Sequence, residues 1–197
     1  KTAADKIASH LPKKWFDLTG TSGLDSFRVY MIAKRVVEAE KVSVGRIIRA
    51  RAKGLKAKPI ATGISLADAT QALTDFGASG KTEKFEAAFK EIQGWRSAQL
   101  QMLVDTGVMD ANLKAKIEST WKWYVPFYRF LEDSPFDRKS GSPRGWANVK
   151  NPVKRMIGSE APIIDPLESL VTDAYVFAQR AKQNQVMKTI YDMTQEF

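Results

Sequence analysis

The chain has 197 residues, 27% of them charged and 44% apolar, enough for one good hydrophobic core or two small helical lobes. It carries no cysteine and a single histidine, His10, which excludes disulfides, thiolate metal sites and most histidine-based catalysis. The net charge of +9 is concentrated in residues 1–60, which hold 14 Lys/Arg against 5 Asp/Glu, so an anionic partner is expected at one face.

No apolar run is long enough to span a membrane, and Lys1-Thr2-Ala3-Ala4-Asp5 lacks the apolar stretch of a secretory leader. The chain opens on Lys1 rather than Met and closes inside a helical pattern at Phe197, so it is expected to be a piece of a longer polypeptide.

In chain order, Ala3, Ala4, Ile7 and Ala8 form a weak helical fragment that closes at Leu11-Pro12. Trp15, Phe16 and Leu18 follow, the Trp15–Phe16 pair reading as a staple onto the core beside a break at Thr19–Gly23. Ser22 and Asp25 resemble a capping box ahead of a helical stripe of Leu24, Phe27, Met31, Val36 and Val37. That pattern extends through Ile47 and Ile48 to Gly54, and the β-branched, glycine-bearing Val42-Ser43-Val44-Gly45 predicts a kink or a break into two helices.

Between Lys41 and Ala67 there is no carboxylate, whereas Lys41, Arg46, Arg49, Arg51, Lys53, Lys56 and Lys58 are all cationic. Arg46, Arg49 and Lys53 share one helical face. Charge runs are commonly solvated helix faces. Seven cations without one acid also suit an anionic partner, and Arg46, Arg49, Arg51, Lys53, Lys56 and Lys58 are the candidate nucleic-acid contacts.

Ser65 with Asp68 predicts a capped helix through Phe76, Thr82 caps a longer one through Val104, and Asp110 caps a third through Ile117. Short connections imply antiparallel neighbours, so the fold is expected to be all-α, a multi-helix bundle. Gly77-Ala78-Ser79-Gly80-Lys81-Thr82 resembles the end of a phosphate-binding loop, but Asp75 occupies the position of the required first glycine and a helix precedes it, so an interhelical turn is expected. The adjacent Glu132 and Asp133 read as a loop-capping pair rather than hydrolytic carboxylates.

Five aromatics fall between Trp121 and Tyr128, and Trp121 continues the preceding helical stripe. They are read as core, against the alternative of a stacking platform made by Trp123, Tyr124, Phe127 and Tyr128 beside Lys122 and Arg129. Helical periodicity is then lost over about 133–164, a proline- and glycine-marked basic loop expected to be ordered by the aromatic anchor before it, by Trp146 or by a neighbouring chain. Asp165-Pro166-Leu167-Glu168 starts the last helix, with Asp165 as N-cap, Pro166 at the first helical position and Glu168 reaching back. The expected division is a basic helical segment over 1–60 and a helical domain over 61–197.

Two passages resemble a helical associated region of the very large polyvalent proteins of bacteriophages and related mobile elements. One is Tyr124-Val125-Pro126-Phe127-Tyr128-Arg129. The other is Asn151-Pro152-Val153-Lys154-Arg155 followed by Gly158-Ser159-Glu160 and Ile163-Ile164-Asp165-Pro166-Leu167-Glu168. The resemblance implies a non-enzymatic structural segment of an internal virion or ejection protein, kept in the virion interior and delivered into the bacterial host with the DNA. It implies assembly with other virion proteins or with copies of itself, and it transfers no catalytic residue, metal, cofactor or small-molecule ligand. Its structural motif residues are Tyr124, Pro126, Phe127, Tyr128, Arg129, Asp165, Pro166 and Glu168. The basic stretch lies outside the matched passages, so the alternative, a sequence-nonspecific DNA-binding module acting through residues 41–58, rests on charge alone.

Overall fold

A computed structural model describes residues 2–11, 23–126 and 163–195. Six helices are formed among the described residues: α1 (Ala3–Ala8), α2 (Gly23–Ala52), α3 (Leu66–Ala78), α4 (Thr82–Asp105), α5 (Ala111–Thr120) and α6 (Pro166–Gln195). The protein is mostly helical, as its periodicity predicts. The staple at Trp15–Leu18, the cap at Ser22, Glu132, Asp133, Trp146 and the basic loop through Pro162 lie outside the described residues.

Two hydrophobic clusters organise the bundle. The larger joins Ile7 of α1, Met31 and Ile32 of α2, Ala72 and Phe76 of α3, and Phe85 and Phe89 of α4 with Val125 and Ile163. Phe27, Tyr30, Phe76 and Phe85 meet within it as tilted and edge-on pairs, with ring centroids 5.3–5.9 Å apart. The smaller cluster joins Leu100 and Leu103 of α4, Ile117 of α5, and Phe177 and Ala181 of α6 with Met109. Ion pairs at 2.7 Å join α1 to α3 (Lys6–Asp68) and α2 to α4 (Lys34–Glu86).

The helix ends show which local signals the fold uses. Thr2 and Asp5 form a reciprocal capping box on α1. Asp110 caps α5 by accepting the N–H groups of Asn112 and Leu113. Ser65 occupies the cap position of α3 without a side-chain capping bond. Thr82 is the first residue of α4 rather than its cap, which is Lys81. The reason is the preceding turn: Gly80 takes a left-handed backbone (φ +68) and the Lys81 N–H closes onto the Phe76 carbonyl. The Gly77–Thr82 segment is thus the end of α3, an interhelical turn at Ser79–Lys81 and the start of α4.

The break into two helices expected as one outcome at Val42–Gly45 does not occur, and α2 runs unbroken for 30 residues, about 45 Å. The returning chain braces this stretch, since Ile60 donates its N–H to Ser43 Oγ at 2.9 Å. Both 30-residue helices outrun the core. Burial along α2 ends at Ser43, and along α6 at Ala181.

Candidate nucleic-acid interface

The cationic stretch coincides with the part of α2 that leaves the bundle. Arg49 and Arg51 stand exposed on its last turns, and Lys53, Lys56 and Lys58 stand exposed on the segment that doubles back. Two bonds hold that return in place: the one from Ile60 to Ser43, and a bond from Arg46 Nη2 to the Lys58 carbonyl. Gly54 supports the reversal with a left-handed backbone (φ +68), and the Leu55 N–H bonds the Ala50 carbonyl at 2.8 Å, the pattern of a Schellman cap.

Arg46 therefore differs from its neighbours. It is half-buried and spends its guanidinium on the backbone of the return, so it positions the cationic segment rather than presenting charge. The other five candidates are exposed, and none of them is in an ion pair among the described residues. Val44, Ile48 and Leu55 are exposed between them. Beside this end of α2 lies a shallow open groove, with Lys41, Gly45 and Arg49 on one wall and Ser119 and Thr120 of α5 on the other.

Further back along α2, beyond its apolar packing against α3 and α4, lies a buried polar layer. Arg35 is 1% exposed, and its guanidinium carbon lies 3.9 Å from the Trp121 ring centroid and 4.7 Å from that of Tyr124. Arg96 of α4 covers the Tyr124 ring at 3.8 Å. Arg35 Nη1 donates to Glu38 Oε2 at 3.0 Å, and Glu38 Oε1 accepts the Trp123 N–H at 2.9 Å. Gln93 fixes the same strip of chain by donating to the Tyr124 carbonyl. Burial lowers the pKa of both arginines and raises that of the Tyr124 phenol. Among the described residues Arg35 Nε has no hydrogen-bond partner, so ring contact substitutes for part of its lost solvation.

Trp123 packs edge-on against Phe89 at 5.0 Å, beneath Lys34 Nζ at 4.4 Å. Trp121, Trp123 and Tyr124 are half-buried and engaged with Arg35, Arg96, Lys34 and Phe89. Pro126 is buried, Lys122 is exposed, and Phe127, Tyr128 and Arg129 lie outside the described residues. This layer was missed by sequence reasoning, although it left a signal: Arg35 sits in register with Met31 and Ala39, and Arg96 with Phe89 and Leu100, each a charge in an apolar stripe.

Of the second passage, only Ile163–Glu168 lies among the described residues. Asp165 Oδ1 accepts the Leu167 N–H at 2.9 Å, capping α6, while Oδ2 receives Arg28 Nε at 2.9 Å and Nη2 at 2.8 Å. Arg28 Nη1 donates to Asp25 Oδ1 at 2.8 Å, so one guanidinium joins the starts of α2 and α6. Burial opposes the charge on Arg28, but the bonds to Asp165 and Asp25 outweigh it and raise its pKa. Pro166 is buried at the first helical position, and Glu168 is exposed. His10 takes a backbone role, its carbonyl accepting the Ile163 N–H at 2.8 Å.

Among the described residues, no group of three or more His, Cys, Asp or Glu side chains is placed to hold a metal ion, and no helix is long and apolar enough to cross a membrane. The chain matches no protein-family model, and comparisons with curated proteins and with solved structures found no match.

Proposed function

We propose that this chain is a non-catalytic helical module that holds nucleic acid by its phosphate backbone. The observation that carries the reading is the exposed, acid-free cluster of Arg49, Arg51, Lys53, Lys56 and Lys58 on a braced overhang of α2. Five unpaired cations on one short projection give a strong sequence-independent attraction to phosphates. Phosphate contact carries no base order, and Trp121, Trp123 and Tyr124 are engaged with Arg35, Arg96 and Phe89.

The resemblance of Tyr124–Arg129 and Asn151–Glu168 to the helical region of phage polyvalent proteins supplies a setting for this activity. In that setting the module is a structural part of an internal or ejected virion protein. It is kept beside the packaged genome and travels with it into the host, among other virion proteins.

Fluorescence anisotropy with a labelled duplex at low salt tests the proposal. The unmodified chain is expected to bind duplexes of unrelated sequence alike. A variant with Arg49, Arg51, Lys53, Lys56 and Lys58 changed to Glu is expected to lose at least about a hundredfold in affinity. Absence of binding at low salt, undiminished binding by the reversed variant, or binding confined to anionic lipid vesicles would each overturn it.

A further inference from the structure

Helix α6 has a buried apolar face and, opposite it, an exposed stripe rich in apolar side chains. The inward one, with Leu170, Phe177 and Ala181, is buried in the bundle. On the opposite side Val171, Tyr175, Ala178 and Lys182 follow one another at intervals of 4, 3 and 4, and Val186, Thr189 and Met193 repeat that spacing from Lys182. All seven are exposed, Val171 by 66%, Tyr175 by 70%, Val186 by 50% and Met193 by 55%. An 11-residue repeat keeps a stripe on one side of a nearly straight helix, so this one runs about 33 Å without drifting. Solvent alone gives no reason for bulky side chains to recur at that interval.

We infer that this stripe is a self-association surface, on which α6 of a second copy lies antiparallel across a two-fold axis at Lys182. Three features favour a second copy over an unrelated helix. A two-fold pairing must be self-complementary, and in this register the sizes match: Tyr175 faces Thr189, Val171 faces Met193, and Ala178 faces Val186. With Ile190 on its flank, the stripe joins Val171, Tyr175, Val186 and Met193 into one run of exposed apolar side chains that a second copy would cover. The only like-charge contact on the axis is Lys182 against Lys182, whose long stems cover apolar surface while the ammonium groups diverge. The pair is therefore reversible, and it is tightened by removing that charge. The inference stands apart from the nucleic-acid reading, since it uses no residue of the α2 overhang.

Light scattering on the eluting chain, followed over a range of concentrations, tests the stripe. A monomer–dimer equilibrium is expected. Val186→Glu should weaken it more than tenfold with the helical content and melting of the monomer unchanged, because Val186 lies beyond the buried part of α6. Lys182→Gln should strengthen it, and a mixture of Lys182→Glu chains with unmodified chains should form mixed pairs in preference to like ones. Because the chain has no cysteine, orientation is read directly. Ala178→Cys chains should cross-link to Val186→Cys chains faster than either does to itself. A mass that stays monomeric at every concentration, a dimer indifferent to Val186→Glu, or faster like-with-like cross-linking would each contradict the inference.

Discussion

At the scale of single residues, Arg35 shows how this protein accommodates charge inside a helical core. Among the described residues its hydrogen bond goes to Glu38, and the faces of Trp121 and Tyr124 lie against the guanidinium. Arg35→Ala should cost about 3–5 kcal/mol in urea unfolding, since it strands a buried carboxylate and empties the space between two rings. Arg35→Met with Glu38→Gln should recover part of that loss, because the glutamine oxygen still accepts the Trp123 N–H. The Tyr124 phenol has a pKa raised above its ordinary value of 10.0, chiefly by burial. Its contribution is therefore intact below pH 10 and is lost as pH climbs past that value. Denaturant melts of Tyr124→Phe should show a flatter decline above pH 10 than the unmodified chain.

Among the helices, the start of α6 concentrates the most structure in the fewest atoms. One carboxylate oxygen of Asp165 caps the helix and the other binds Arg28. Asp165→Asn keeps an acceptor for the Leu167 N–H but removes the charge facing Arg28, whereas Asp165→Ala removes both. The alanine variant should lose about 2–4 kcal/mol and the asparagine variant roughly half as much, read from urea midpoints.

This cap was legible in the sequence, as was Asp110, because an acid immediately before an apolar stripe has few other local uses. Helix existence was legible for the same kind of reason: residues such as Phe85, Phe89, Leu100 and Leu103 recur at the spacing of one buried face. Other features depend on contacts that no local window contains. The chain returning through Ile60 braces Val42–Gly45, so α2 stays whole. The turn at Gly80 shifts the cap of α4 to Lys81. Arg35 and Arg96 look like ordinary charged residues until Trp121 and Tyr124 are brought between them from the far end of α5. Of the six candidate contacts, charge alone could not single out Arg46, whose separate role comes from the Lys58 carbonyl 12 residues away.

On the scale of the whole molecule, the two long helices share one plan: each anchors its first part in the bundle, through Ser43 in α2 and Ala181 in α6, and extends its remainder beyond it. The overhang of α2 carries exposed cations and that of α6 carries exposed Val186, Ile190, Tyr191 and Met193 among polar residues, so the two proposals draw on separate parts of one molecule. The dependence of DNA affinity on salt tests the first of these most directly, because it counts the phosphate contacts. Five exposed cations predict a slope of log K against log salt of about −4 to −5. Changing Lys53 and Lys56 to Gln should make the slope shallower by about 2. A slope near zero, or one that those two substitutions leave unchanged, would contradict the account.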